Sequence, residues 1–132
     1  MSRQPDALTP NDLSFLDERH LATLTTLSPD GRPHSVAIGF TYANGAVRIL
    51  TDAGSQKVKN IERSKFASVC QVDGPRWLSL EGPAFVARDD ATLRNAVAAF
   101  ERRYRPTSDN PNRVIVTINV ERVLGRSEQL SA

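Results

Sequence analysis

The chain has 132 residues, 39% of them hydrophobic, which is enough apolar material for one core and too little for two independent domains. Seventeen basic residues against fifteen acidic ones leave a net charge of +2, too small for a dedicated nucleic-acid or membrane-surface binder, so any anion site has to be local. A lone cysteine excludes an intrachain disulfide framework, and no window approaches the roughly 18 apolar residues of a membrane span. The start of the chain has no apolar signal region, so a cytoplasmic protein without nucleic-acid or membrane partners is expected.

Residues 1–8 are expected to be flexible, and Thr9-Pro10-Asn11-Asp12 then opens a helix over residues 10–19, with Thr9 as cap, Pro10 at the first helical position and Asp12 completing a capping box. Threonine-rich alternation predicts a strand over residues 21–27, closed by the turn Ser28-Pro29-Asp30-Gly31. A second strand is predicted over residues 33–43 and a third over residues 46–51, joined at Asn44-Gly45, the sharpest hairpin signal in the chain. Residues 66–72 and 76–87 read as two further strands, the first burying Cys70 and the second bent at Gly82-Pro83. Leu93, Val97, Phe100 and Tyr104 recur at helical spacing over residues 90–104, and alternation over residues 114–120 gives a last strand. These elements predict one mainly β (α+β) domain over residues 1–132, a barrel of about six antiparallel strands with flanking helices.

The third strand runs into Thr51-Asp52-Ala53-Gly54-Ser55-Gln56-Lys57, where a small-residue turn opens a helix that carries Lys57 and Lys59 in its first two turns. A helix N-terminus holds roughly +0.5 of an elementary charge, so a lysine there is unfavourable unless something negative faces it. Ser55 as cap, Gly54 permitting close approach and outward-pointing amides make an anion cradle. The same residues also suit an ordinary capped surface helix with solvated lysines. In the second strand, Ser35, Ala37, Gly39 and Thr41 make one face of small side chains against His34, Val36, Ile38, Phe40 and Tyr42 on the other. Such a face serves either close packing of a neighbouring element or a flat ring laid against the strand.

In this order, strand, hairpin and cradle resemble the split β-barrel superfamily of flavin and deazaflavin oxidoreductases related to pyridoxamine 5'-phosphate oxidase. Within it, the cradle with Cys70-Gln71-Val72-Asp73-Gly74, Arg76-Trp77-Leu78-Ser79-Leu80-Glu81-Gly82 and Glu121-Arg122-Val123-Leu124-Gly125 is most similar to the biliverdin reductases that use coenzyme F420. The resemblance implies a homodimer with its cofactors in grooves between subunits. It implies that Thr51, Ser55, Gln56, Lys57 and Asn60 surround the deazaflavin phosphate, that His34, Ser35, Val36 and Ala37 lie against the ring, and that Gln71 and Trp77 line the groove of their own or of the partner subunit. Arg76 and Arg105 are the implied cations for the propionates of a tetrapyrrole substrate, with Arg102 and Arg103 as further candidates that equally suit a solvated helix end. Lys59 is placed to meet the cofactor's oligoglutamate tail.

FMN is the alternative cofactor, and a non-enzymatic binding module the alternative to an enzyme. The arginine-containing C-terminal segment of true pyridoxamine-phosphate oxidases has no counterpart after Arg126-Ser127, which disfavours vitamin B6 oxidation. No catalytic side chain is expected, because His20 and His34 sit in no recognisable motif and hydride transfer requires only alignment of donor and acceptor. No His, Cys and carboxylate residues fall at metal-ligand spacing with supporting context.

Overall fold

Local sequence decides the helix ends in this computed structural model, which describes residues 2–128. Thr9 Oγ1 accepts from the Asp12 N–H at 3.1 Å and Asp12 Oδ2 accepts from the Thr9 N–H at 2.9 Å, closing the capping box of α1 (Pro10–Asp17). Asp89 caps α3 (Asp90–Arg103) by accepting from the Thr92 N–H and hydroxyl. Between them lies α2 (Gln56–Ser64). Within the opening segment, expected to be flexible, Arg3 is held by the sheet and by α1. Arg3 exchanges two backbone hydrogen bonds with Val123, at 2.8 and 2.7 Å, and its guanidinium meets Asp12 at 2.6 Å.

The strands are β1 (Ala22–Leu27), β2 (Pro33–Ile38), β3 (Thr41–Ala43), β4 (Ala46–Asp52), β5 (Phe66–Asp73), β6 (Arg76–Ala87), β7 (Arg113–Asn119) and β8 (Arg122–Arg126). All pair antiparallel, in the order β2-β1-β5-β6-β7-β4-β3, with β8 added beside β6. Eight strands replace the expected six for two reasons. The long second strand breaks at Gly39 and Phe40 into β2 and β3. In addition, β8 carries only Val123 and Leu124 as large apolar residues, too few to announce a strand before β6 is there to pair with it.

The break closes the barrel. β2 and β3 lie at opposite ends of the strand order, so the two residues joining them carry the chain from one half to the other and leave both ladders. Their backbone groups need other partners. The Tyr104 hydroxyl accepts from the Phe40 N–H at 3.2 Å and donates to the His20 carbonyl at 2.7 Å. Arg103 donates to the Phe40 carbonyl, to the Glu18 carbonyl through Nε at 2.9 Å and Nη2 at 2.7 Å, and to Gln71 Oε1 at 2.5 Å. Its guanidinium also lies 4.6 Å from the Phe40 ring centre and 4.9 Å from that of Tyr104. Arg103 is therefore an internal strut rather than part of a solvated helix end. A Cβ on Gly39 would stand 3.1 Å from both the Phe100 and Tyr104 rings, so close packing of α3 accounts for a small residue there.

β6 is shared by the two halves. Residues 76–83 pair with β5, residues 77–81 also with β8, and residues 84–87 with β7, so the expected bend at Gly82-Pro83 is a change of partner. A Cβ on Gly82 would meet the Asn119 carbonyl oxygen at 2.0 Å. Inside, Leu24, Ile49, Val69, Leu78, Leu80, Val116 and Ile118 form the core, with Phe15 of α1 and Val58 and Ile61 of α2 packed into it. α3 packs on β4 and β7, and β7 is buried on both faces.

Truncating Arg103 strands three acceptors, each costing about 1 to 3 kcal/mol when left buried and unpaired. Urea denaturation should show Arg103→Ala destabilised by about 3 kcal/mol, with Arg103→Lys recovering only part because an ammonium cannot reach all three. A loss below about 1 kcal/mol in the alanine variant would show that the strut is dispensable.

Candidate functional site

The end of β4 delivers the chain to α2 through Ala53 and Gly54, and Ser55 occupies the cap position with no side-chain capping bond. Its Oγ lies 3.4 Å from Thr51 Oγ1 instead. The first-turn amides of α2 have no intrahelical acceptor and the turn itself contains no acidic residue, and half-buried Lys57 adds a full positive charge at the same end. This end opens onto a cavity of about 440 Å³ whose walls include Ala37 and Ile38 of β2, Gly39 just beyond it, Thr51 and Asp52 of β4, and Lys57. Phe100 of α3 and the polar loop before β7, with Arg105, Asn110 and Arg113, complete it.

A second cavity of about 450 Å³, bounded by Arg19, His20 and Tyr104, shares Ala37, Ile38, Gly39, Phe100 and Arg105 with the first. The two make one groove along the end of β2, within the size range of cofactor sites. β2 pairs only with β1 among the described residues, so alternate N–H and C=O groups on its other edge are open to a ligand. The result is a cationic end, a floor of small and apolar residues and an unpaired strand edge: suitable for a flat ring with an anionic handle.

The residues singled out from sequence divide into three groups. Ala37, Thr51, Lys57 and Arg105 line the groove, and Ser55 adjoins it through Thr51. Gln56 is exposed at the same helix end, its amide donating to Asn60 Oδ1 at 2.8 Å. Ser35 is on the outward face of β2 with Ala37, its hydroxyl 2.8 Å from that of Thr25, while strand alternation turns His34 and Val36 to the opposite face. His34 Nδ1 is buried there without a partner among the described residues.

Three expectations need correction. Asn60 is fully buried and holds α2 to the barrel, donating to Thr26 Oγ1 at 3.1 Å, so its side chain is unavailable to a phosphate. Gln71 is fully buried as well, donating to the Phe15 carbonyl at 2.8 Å and accepting from Arg103. Both are polar residues absorbed by interior hydrogen bonding, which a one-dimensional pattern does not distinguish from ligand contacts. Arg76 is committed to Glu18 at 2.9 Å and to Asp73, and sits 4.6 Å from the Phe15 ring centre. Trp77 is 40% exposed on the outward face of β6, outside the groove of its own chain, which leaves open only the expectation that it lines the partner's groove. Arg113, Asn110 and Phe100 went unrecognised, since nothing local in a polar loop or an amphipathic helix tells which barrel opening it faces.

Residues 8–127 match the family model for pyridoxamine 5'-phosphate oxidase. The chain belongs to the pyridoxamine 5'-phosphate oxidase family. A Mycobacterium tuberculosis biliverdin reductase dependent on reduced coenzyme F420 is 48% identical over 125 residues, covering 93% of this chain and 91% of that one. A solved conserved hypothetical protein from the same organism superposes with a TM-score of 0.78 at 26% identity, over 98% of this chain and 96% of the other. A solved F420 reductase, at 22% identity, shares the fold with a TM-score of 0.70 over 84% of this chain and 94% of its own.

On this family scaffold Glu18, His20, Asp73 and Arg76 form a charged knot at the end of α1, with His20 Nε2 3.0 Å from Glu18 and 3.7 Å from Asp73. The three potential ligand atoms of Glu18, His20 and Asp73 lie within 4.8 Å of one another, but Arg76 already pairs with both carboxylates. Hydrogen bonds from Arg76 and then His20 hold the Glu18 carboxyl at about 2, below its ordinary 4.5. A depressed carboxylate stabilises the fold above pH 4.5 and loses that contribution as pH falls towards 2. Acid titration followed by circular dichroism should therefore show wild type losing more stability than Glu18→Gln between pH 4.5 and 2; equal slopes would contradict the assignment.

Proposed function

We propose that this protein is a deazaflavin-dependent reductase that passes a hydride from reduced coenzyme F420 to a conjugated acceptor, turning biliverdin into bilirubin. The observation that carries the reading is the groove that joins Lys57 and the open start of α2 to the unpaired edge of β2. The 48% identity to a mycobacterial enzyme of that activity supports the choice of cofactor and acceptor. When bound, the reduced deazaflavin supplies the hydride at its central ring carbon. The remaining work belongs to the chain. Lys57 and the first-turn amides hold the phosphate, Thr51 and Ser55 add hydroxyls beside it, and the β2 edge orients the ring by backbone hydrogen bonds. Phe100 and Ile38 keep water from the ring, and exposed Arg105 meets a carboxylate of the acceptor.

The assembly that completes the groove is a homodimer. Leu21, Phe66, Val72 and Trp77 are 65%, 40%, 59% and 40% exposed; Val72 and Trp77 face each other across β5 and β6, and Phe66 lies at the far end of the same outward face of β5. Such a row favours coverage by a second copy, which would bring the partner's wall to the cofactor. No helix is long and apolar enough to cross a membrane among the described residues; a cytoplasmic enzyme without nucleic-acid partners is the consistent setting.

Cofactor fluorescence should titrate at micromolar F420, and Lys57→Ala should weaken binding about tenfold, the loss of one charged hydrogen bond of about 1.5 kcal/mol. Turnover of biliverdin with reduced cofactor tests the acceptor. No fluorescence change, or a yellow protein that releases flavin on denaturation, would move the assignment to FMN or to a non-enzymatic module. Sedimentation equilibrium should give a mass near twice 14.5 kDa; a monomer at tens of micromolar would remove the dimer.

A further inference from the structure

The groove holds more positive charge than one phosphate needs. Lys57 and the start of α2 already supply an anion site, yet Arg113 stands in the same cavity, half-buried at the first position of β7 and directly across from Asp52 in the β4 pairing. Asp52, the carboxylate in the wall, is occupied by Asn110 Nδ2 at 2.5 Å. Arg113 Nη2 donates to the Ser108 carbonyl at 2.9 Å, and the guanidinium has no ion pair within 4 Å among the described residues.

The loop that carries it is built rather than loose. Ala53 N–H donates to the Asn112 carbonyl at 2.9 Å, Asn112 N–H to Asn110 Oδ1 at 3.0 Å, and Thr107 donates twice to Glu101. Arg113 also borders a further cavity of about 720 Å³ between α3 and this loop. It therefore stands on the threshold between the phosphate end and the way out. Beyond it, the lining of the further cavity sets Arg94 and Arg113 against Glu101 and Asp109, with Arg113 near enough to help lower the Glu101 pKa, so that cavity carries no excess of positive charge to draw further carboxylates.

We propose that Arg113 is a specificity-determining residue for the cofactor: its guanidinium grips the first carboxylate attached beyond the phosphate, while later carboxylates of the tail go unread. The inference rests on the deazaflavin reading and names which part of that cofactor is selected. A carboxylate one linkage past a phosphodiester meets a planar donor fork, a match an ammonium cannot make. Lys59, exposed on α2 and outside the groove wall, takes no part.

Fluorescence titration with three ligands tests this: the deazaflavin nucleotide ending in a phosphomonoester, its phospholactate form with one carboxylate, and the polyglutamylated coenzyme. Wild type should bind the second at least tenfold more tightly than the first, and the third within about threefold of the second. Arg113→Gln should bind the phosphomonoester as wild type does and lose the preference; Arg113→Lys should restore part of it. Equal wild-type binding of all three forms leaves the deazaflavin reading standing and overturns the subsite. A steady gain with tail length, or an equal loss for all ligands in Arg113→Gln, also overturns it. If none of the three binds, the deazaflavin reading fails, and this inference with it.

Discussion

The guanidinium of Arg103 is the point on which the architecture turns. A sheet that closes on itself must carry its chain from one edge to the other, and here the transfer takes two residues, Gly39 and Phe40, that belong to neither ladder. Unpaired backbone groups at such a place would cost several kcal/mol together. One arginine and the adjacent tyrosine supply donors and an acceptor, and they fasten the end of α1 and β5 to the same spot. The charge itself has no carboxylate within 4 Å among the described residues and is balanced by carbonyl dipoles, two aromatic faces and the more distant Asp17. Burial lowers the Arg103 pKa from its ordinary value, but an arginine starts so high that it stays charged at any pH the protein meets.

That clamp also sets the groove. Gly39 is pinned beneath Phe100 and Tyr104, so the end of β2 is held at a fixed height against α3, and the ligand floor from Ala37 to Gly39 inherits that position. Of the two explanations open for the small-residue face, close packing accounts for Gly39. α3 packs on that residue, and Ala37 stays in the open. Cationic residues divide the same way. Arg103, Arg76 and Arg3 are engaged by internal acceptors, and Lys57, Arg105 and Arg113 border the groove.

Much of the fold was legible along the chain because its signals are local. The capping box at Thr9 and Asp12, the hairpin at Asn44-Gly45 and the alternation of β1, β5 and β7 depend on residues within a few positions of one another. The break at Phe40 was not legible, since residues 33–43 alternate without interruption and the change of partner is imposed by α3, some sixty residues on. β8 escaped notice for a related reason: a short strand with arginines and a glycine becomes one only when β6 offers it an edge.

For the site, the residue order by itself determined that a lysine-bearing helix start follows a strand and that small residues line one face of an earlier strand. These follow from backbone rules that act over one or two turns. Which polar residues face a ligand was decided only by the folded barrel. Asn60, Gln71 and Arg76 are as polar as Lys57, but distant partners draw them inward or neutralise them, whereas Arg113 is brought to the groove by a loop whose own sequence says nothing about where it will land. Side-chain chemistry is written residue by residue; access to it depends on neighbours that only long-range packing supplies.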